Sequence, residues 1–225
     1  MDIISQLKNK VIVSVQAMPD EPLYNEIALT AMMQSVVNGG AEGLRVAGAR
    51  DVKIAKRLFN IPIIGLTKPE KLPDNWKEVV YITPTLKEVK ELIEADADII
   101  ATDATMRPRP KESIEEIIKY IKQYNKLAMA DISTLEEGIN ARELGFDIIS
   151  TTLSGYTQNS KQDKQTPDYE LLEKLVKSVD CPVILEGRIW EPYEVDKAFE
   201  IGAHSVVIGS AITRPQLITK RFCER

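Results

Sequence analysis

The amino-acid sequence predicts an α/β protein that folds as a single (β/α)₈ TIM barrel over residues 1–225. Eight short apolar runs rich in Val and Ile recur along the chain, and amphipathic helical stretches separate them. Continuous apolar runs of this length are typical of parallel strands that are covered on both faces. An open doubly wound sheet is the alternative. That class more often has a Gly-rich fingerprint after its first strand, and VQAMPDEP (15–22) is not one.

The eight predicted strands follow one another in chain order. They are VIVSV (11–15), GLRV (43–46), PIIGL (62–66), DIIAT (98–102), LAMA (127–130), DIIST (147–151), PVIL (182–185) and SVVIG (205–209). A ninth apolar segment, VVYIT (79–83), complicates the count. We interpret it as a short extended piece inside the long connection after the third strand.

The stretches between the strands carry helix start and stop signals. In TLKEVKELIEA, Thr85 and Glu88 form a predicted capping box, and the apolar residues fall on one stripe. In STLEEGINARELG, the predicted box is Ser133 with Glu136, and Gly145 is the predicted stop. Helices that alternate with strands in this way are what the barrel requires.

Composition and charge argue against several functional classes. Acidic residues outnumber basic ones by 34 to 29, which gives a net charge of −5. The sequence contains no dense block of Lys and Arg of the kind that binds nucleic acid. No apolar run approaches the roughly 18 residues of a membrane span, and the N-terminus lacks a signal-peptide core. Cys181 and Cys223 match no metal-ligand spacing. We therefore expect a cytoplasmic protein that binds no membrane, nucleic acid or metal and needs no cofactor.

In a (β/α)₈ barrel the active site forms at the carboxyl ends of the strands, so the polar residues there are the candidates. They are Gln16, Arg45, Lys68, Asp103, Asp131, Thr152, Glu186 and Ser210. Asp131 and Glu186 directly follow apolar runs, at positions expected to be shielded from water. A shielded carboxylate is costly unless it is paired, so we expect each to have a cationic or donor partner.

The end of the eighth strand is a predicted anion site. Gly209 and Ser210 stand just past this strand, and the next helix is predicted to begin with Thr213 as its cap and Gln216 as the box partner. Glycine lets backbone N–H groups approach an anion closely, and a helix N-terminus adds a favourable dipole. Many barrels bind phosphate with the loops after strands seven and eight, so EGRI (186–189) is expected to form the other wall.

The only histidine, His204, precedes the eighth strand and is expected at the amino-terminal rim, away from the chemistry. The remaining candidates for proton transfer are Lys68, Glu186, Asp131 and Asp103. No Ser–His or Cys–His pair is available at the strand ends, which disfavours nucleophilic hydrolysis. A free lysine has a pKa of about 10.4, so Lys68 needs burial or cationic neighbours to act as a base at neutral pH.

Nine segments in a fixed order resemble one enzyme family. They are VIVSVQAMPDEPL, GGAEGLRV, IPIIGLTK, YITPTLKEV, ATDATMRPRP, MADISTLEEG, ISTTLSGYT, VILEGRI and IGSAITRP, spanning about residues 11–222. Together they are similar to the N-acetylmannosamine-6-phosphate 2-epimerase family of sialic acid catabolism. The resemblance implies a barrel of the ribulose-phosphate-binding type. It also implies interconversion of N-acetylmannosamine 6-phosphate and N-acetylglucosamine 6-phosphate without a cofactor, usually by a homodimer.

The resemblance also implies roles for individual residues. It places the catalytic residues at Lys68 and Glu186. The expected substrate-binding residues are Gln16, Arg45, Asp131, Thr152 and Arg214, and the expected phosphate-binding residues are Gly187, Arg188, Gly209 and Ser210. The implied reaction removes the proton at C2, next to the carbonyl of the open-chain sugar, and returns one to the opposite face. The sequence leaves open whether one residue or two serve these two faces.

Three positions depart from the family pattern. Val15 stands where a cysteine is expected, Ala47 where a polar side chain is usual, and Pro69 where a basic residue usually follows the lysine. Two other functions stay open. Another phosphosugar barrel, such as a decarboxylase, aldolase or synthase, would typically carry Asp-x-Lys on one strand, and no strand end shows it. A phosphosugar sensor that has lost turnover would fit the changes at Ala47 and Pro69.

Overall fold

The computed structural model describes residues 2–160 and 165–224. Within these ranges, eight parallel strands close into a barrel in which neighbours in the chain pair and the first strand pairs with the last. The strands are β1 (Lys10–Val15), β2 (Gly43–Ala47), β3 (Ile63–Leu66), β4 (Ile99–Asp103), β5 (Leu127–Asp131), β6 (Ile148–Ser150), β7 (Val183–Glu186) and β8 (Ser205–Ile208). Each end lies within one residue of its prediction, so the predicted (β/α)₈ barrel is confirmed.

Helices follow every strand of the described chain. They are α1 (Ile3–Leu7), which precedes β1, then α2 (Glu26–Asn38), α3 (Ala49–Leu58), α4 (Leu86–Glu94), α5 (Ile114–Gln123), α6 (Leu135–Glu143), α7 (Tyr169–Ser178), α8 (Pro192–Ile201), α9 (Ser210–Thr213) and α10 (Pro215–Cys223). None of these helices has the length and apolar character needed to cross a membrane.

The barrel interior is filled with branched apolar side chains. Ile12, Ile64, Ile99 and Ile184 come from four different strands and are fully buried in one inner cluster. Leu7 of α1 joins this cluster and covers the amino-terminal end of the barrel. A second cluster fills the layer between the strands and the helices. The barrel is therefore a packed core, and a site can form at its carboxyl end.

His204 lies at the amino-terminal rim, as predicted. Its Nε2 atom is 2.8 Å from the carbonyl oxygen of Ile4 in α1. Its own carbonyl accepts a hydrogen bond from the Asn9 N–H at 2.7 Å. The histidine therefore ties α1 to the start of β8, at the end of the barrel opposite the strand ends that carry the candidate site.

The ninth apolar segment is not a barrel strand, which confirms its interpretation as part of the connection after β3. Thr83 donates its N–H to the carbonyl of Thr67 at 3.1 Å, and the carbonyl of Ile82 accepts from the Asp103 N–H at 3.0 Å. The segment therefore lies against the carboxyl ends of β3 and β4, where it can contribute side chains to a site.

The predicted capping box of α4 is confirmed, but that of α6 is wrong by one residue. The box pairs Thr134 with Glu137 instead of Ser133 with Glu136. The reason is that the Glu137 carboxylate also accepts hydrogen bonds from the N–H and the hydroxyl of Ser133, each at 2.8 Å. Glu137 thus accepts hydrogen bonds from the N–H groups of both Ser133 and Thr134, and the helix begins after Thr134.

The prediction that Thr213 caps the helix after β8 is also wrong. The short helix α9 already begins at Ser210, and Thr213 is its last residue. The Thr213 hydroxyl donates instead to the carbonyl of Ser14 in β1 at 2.8 Å. This bond ties the turn after β8 to the first strand and so fixes Gly209 and Ser210 at the mouth of the barrel.

Gly65 of β3 gives a test of how closely the helices pack on the barrel. A Cβ atom there would lie 2.9 Å from Ala97 Cβ and 3.1 Å from Val52 Cγ2. We predict that Gly65→Ala lowers the free energy of unfolding by about 1–3 kcal/mol, because neither neighbour can move away without disturbing its own backbone. Chemical denaturation measures this, with Lys119→Ala on the exposed face of α5 as the control. Equal unfolding midpoints for the two variants would contradict the prediction.

Candidate active site

A cavity of about 510 Å³ opens at the carboxyl ends of the strands. It brings together most of the residues that the sequence predicts for the site, namely Gln16, Lys68, Thr152, Glu186, Gly187, Arg188, Gly209, Ser210 and Arg214. The other two, Arg45 and Asp131, are fully buried and are bonded to residues of the cavity wall. Residues from seven different strands or their following loops thus converge on one place.

A buried ion cluster joins three strands at the base of this cavity. The Arg45 guanidinium of β2 bonds both carboxylate oxygens of Asp131 in β5, at 3.0 and 2.6 Å. Its Nη1 atom also lies 3.2 Å from the carboxylate of Glu186 in β7. Burial alone would lower the pKa of Arg45, but the two carboxylates raise it above its ordinary value. The expectation that Asp131 and Glu186 have a cationic partner is therefore confirmed, and they share it.

Thr152 links the two carboxylates from the other side. Its hydroxyl oxygen is 2.7 Å from Asp131 Oδ1 and 3.0 Å from Glu186 Oε2. A hydroxyl has a single proton, so it donates to one carboxylate at a time. Burial raises the pKa of Glu186, Arg45 opposes this rise, and Asp131 adds to it. Glu186 can therefore hold a proton more readily than an ordinary glutamate.

Lys68 stands two residues past β3, where its amine is exposed to the water of the open cavity. The surrounding protein atoms, and then the positive charge of Arg45, lower its pKa to about 8. Glu186 opposes this shift, and Arg214 adds to it. A usable fraction of the lysine is thus the neutral base near neutral pH.

The residues predicted to bind phosphate form two turns on the β7 and β8 side of the cavity. Gly187 and Arg188 both have positive φ angles, of 109° and 60°, and Arg188 is a rare non-glycine residue in this conformation. The turn directs the Arg188 guanidinium to the loop after β6. There it donates to the carbonyls of Thr166 at 3.0 Å and Ser154 at 2.9 Å. Arg188 therefore also holds this loop beside the cavity.

Sequence reasoning missed Glu21, which positions Arg214. The Glu21 carboxylate pairs with the Arg214 guanidinium and accepts from the Gln216 amide at 3.0 Å and the Met18 N–H at 2.7 Å. It thereby joins the loop after β1 to the start of α10 over the cavity. No local pattern could have revealed this role, because Glu21 and Arg214 lie at opposite ends of the sequence.

Tyr81 is a second residue that sequence reasoning missed. It lines the cavity from the connection after β3, and the Arg107 guanidinium lies 5.6 Å from its ring centroid. Burial raises the pKa of Tyr81 above its ordinary value. Arg107 in turn is paired with Asp103, whose other bonds go to Thr105. Asp103 is thus engaged in holding this wall, and the structure removes it from the candidates for proton transfer.

Some buried polar atoms at the site have no hydrogen-bond partner within the described part of the chain. Gln16 Oε1, Arg45 Nε and Arg188 Nη2 are buried and have no hydrogen-bond partner among the residues that the structure describes. Buried polar atoms without a partner are rare in folded proteins. Residues 2–160 and 165–224 contain no group of three or more His, Cys, Asp or Glu that could hold a metal ion. Gln16 and Arg188 line the cavity, so a small shift of either side chain would bring its unpaired atom to a polar organic molecule bound there.

Larger cavities also lie near the barrel. One of about 730 Å³ adjoins the first over β1 to β3, and Gln16, Lys68, Tyr81 and Arg214 line both. A larger one of about 1130 Å³ is lined by residues of α6, α7 and α8 and contains none of the predicted site residues. Size alone would therefore select the wrong place, whereas the convergence of charged groups selects the barrel mouth.

Sequence comparisons agree on one family. A family model described as "Putative N-acetylmannosamine-6-phosphate epimerase" matches residues 29–225. Three similar proteins carry the name "Putative N-acetylmannosamine-6-phosphate 2-epimerase". That of Clostridium perfringens strain 13 is 49% identical over 99% of both chains. That of Caldanaerobacter subterraneus is 50% identical over 99% of this chain and 93% of its own. That of Clostridioides difficile is 46% identical over 98% and 97%.

Solved structures give the same picture at the level of the fold. The N-acetylmannosamine-6-phosphate 2-epimerase from Clostridium perfringens matches with a TM-score of 0.94 and 48% identity, over 100% of this chain and 96% of that one. Thiamine phosphate pyrophosphorylase from Pyrococcus furiosus matches with a TM-score of 0.64 and 18% identity, over 97% and 93%. The second likeness shows only the shared barrel.

The buried ion cluster predicts a large loss of stability when one partner is removed. We predict that Asp131→Ala lowers the free energy of unfolding by about 3–5 kcal/mol, because the Arg45 charge stays buried with half of its compensation gone. Glu173→Ala, which breaks the exposed pair with Lys177, should cost less than about 1 kcal/mol. Chemical denaturation of both variants tests this, and similar losses in the two would contradict the role of burial.

Proposed function

The chain belongs to the N-acetylmannosamine-6-phosphate epimerase family, and on that premise we propose that it interconverts N-acetylmannosamine 6-phosphate and N-acetylglucosamine 6-phosphate in sialic acid catabolism. The observation that carries the proposal is the Lys68 amine, with its pKa lowered to about 8, in the same open cavity as Glu186 and close to Arg45. A base tuned towards neutral pH is what proton removal next to a carbonyl needs.

We assign the first proton transfer to Lys68. In the open-chain sugar, the C1 carbonyl makes the proton on C2 acidic. The neutral amine of Lys68 takes this proton, and the electron pair of the C–H bond moves into the C1–C2 bond while negative charge develops on O1. The fixed positive charge of Arg45 lowers the energy of this enolate, and because the guanidinium is already held by two carboxylates, it need not reorganise.

Glu186 is our candidate for the second proton transfer, at the ring oxygen or at the opposite face of C2. Burial keeps its pKa above that of an ordinary glutamate, so it can carry a proton into the reaction. Thr152 and Arg45 hold its carboxyl group in place. Lys68 and Glu186 come from β3 and β7, on different sides of the barrel mouth, which suits groups that act on different faces of a sugar.

We place the phosphate of the substrate at the turns after β7 and β8. The backbone at Gly187 and Gly209 can approach an anion without a side chain in the way, and α9 begins directly at Ser210. The unpartnered Arg188 Nη2 atom lies on the same side of the cavity. A sugar phosphate bound here would reach from β8 towards Lys68, and its hydroxyl groups could bond Gln16 Oε1.

We further propose one domain per chain, a reaction without a cofactor, and a homodimer in the cytoplasm. The steps above use only side chains and backbone of the described chain. The last helix supports pairing with a second copy, because α10 has no buried residue and exposes Leu217 and Phe222. Leu217 borders the cavity, so Phe222, of which 74% is exposed, is the apolar side chain that α10 offers to a second copy.

Deuterium exchange tests the reaction directly. With N-acetylmannosamine 6-phosphate in D₂O, we predict that the protein introduces deuterium at C2 and forms N-acetylglucosamine 6-phosphate, both followed by NMR. Lys68→Ala should lower the exchange rate at least about 10²-fold, as expected for the loss of a general base. Lys53→Ala, on the exposed face of α3, is the matched lysine control and should exchange like the wild type. A sensor without turnover would leave C2 protonated in every variant.

The pKa of Lys68 predicts the pH dependence. Only the neutral amine accepts a proton, so kcat/KM should rise about tenfold per pH unit below the pKa and level off above about 8. Arg214 helps to lower this pKa, so Arg214→Gln should move the rise to higher pH. Steady-state kinetics from pH 6 to 10 measure both. A rise at the same pH in the two proteins would contradict the assignment of this limb to Lys68.

A further inference from the structure

The cavity at the barrel mouth has two lobes that meet at Lys68. The first lobe, of about 510 Å³, contains the turns after β7 and β8 where we place the phosphate. The second lobe, of about 730 Å³, lies over β1 to β3 and contains none of the residues of those turns. The amine of Lys68, which must face C2, lines both lobes.

This arrangement fixes where the substituent on C2 lies, an argument that rests on the proposed function. The phosphate on C6 occupies the far side of the first lobe, and the sugar carbons between C6 and C2 fill the space up to Lys68. C1 and the acylamino nitrogen both leave C2 on the side away from C6, and the mechanism above turns the C1 oxygen towards Arg45. The second lobe is the space that begins on the side away from C6.

The part of the second lobe next to Lys68 is lined by small side chains. Ala47 follows Arg45 by two residues on β2, so its methyl group faces the same way, into the barrel mouth. It pairs in register with Leu66 of β3, two residues before Lys68. Gly48 comes next, and a Cβ added there would meet no atom within 4 Å. At Ala47 and Gly48 the wall is therefore open and apolar, whereas Gln16 and Thr67 line the lobe nearby.

We propose that the second lobe is an acyl subsite that accepts N-acyl groups one or two methylene groups longer than acetyl. The lobe continues beyond the small side chains of Ala47 and Gly48, and Lys87, Glu88 and Glu91 line its far part at α4, so the room for an alkyl chain is the part next to β2. A pocket that closes round an acetyl group rejects one added methylene by about 10–200-fold. The lobe lined by Ala47 and Gly48 has room for the added carbon atoms, so this rejection should be absent.

The experiment compares N-acetyl, N-propanoyl and N-butanoyl mannosamine 6-phosphate as substrates. In the wild type, kcat/KM for the two longer derivatives should stay within about tenfold of the acetyl compound. In Ala47→Leu, which fills the entrance to the lobe, the ratio of the butanoyl to the acetyl value should fall at least about tenfold. A smaller step, Ala47→Val, should lower this ratio by less, and thermal unfolding checks that both variants fold.

Two results would overturn the subsite. One is rejection of the propanoyl compound by the wild type by more than about tenfold, and the other is an equal loss for all three substrates in Ala47→Leu. Calorimetry gives the dissociation constants of N-acetyl, N-propanoyl and N-butanoyl glucosamine 6-phosphate. The ratios of these constants are then compared between the wild type and the variants. If the wild type fails to turn over the acetyl compound, the proposed function fails, and the binding ratios still decide whether the second lobe takes the acyl chain.

Discussion

The buried ion cluster of Arg45, Asp131 and Glu186 is the interaction on which the rest of the barrel mouth depends. Below it the interior is filled by isoleucines, as a (β/α)₈ barrel requires. At the level of Arg45 a guanidinium spans the interior from β2 to β5 and β7. A buried charge in this position needs its carboxylate partners, so the three strands cannot shift independently without separating them. The same cluster places the positive charge of Arg45 near Lys68. The ion pairs that stabilise the fold therefore also contribute to the pKa of the lysine.

The charges around Lys68 work in opposite directions, and their balance sets its pKa. Arg45 and Arg214 lower the value, while Glu186 and Asp131 raise it. The paired carboxylates offset much of the positive charge of Arg45, and Glu21 offsets much of the charge of Arg214. Desolvation by the surrounding protein atoms is the largest contribution to the lowered pKa of Lys68.

The strands and their polar ends could be predicted from the sequence because both depend on short-range pattern. An apolar run of four or five residues forms a strand that is buried on both faces. The residue that follows each strand then lies at the mouth of the barrel. The cap at Ser133 was predicted one residue early because Ser133 and Thr134 can both cap, and only the shared Glu137 decides between them. Glu21 and Tyr81 could not be predicted, since each acts through a partner that only the closed barrel brings near.

The connection that carries Lys68 is anchored by residues outside its own segment. Pro69 restricts the backbone next to the lysine, but the far end of the connection is fixed by other groups. Arg107 donates to the carbonyl of Trp76 at 3.0 Å, and its charge is anchored by Asp103, which is completely buried. A side chain that must reach a reacting carbon within a fraction of an ångström needs such support from outside its own segment. The Asp103–Arg107 pair therefore holds Trp76 and Tyr81, in the later part of the connection, at the edge of the cavity.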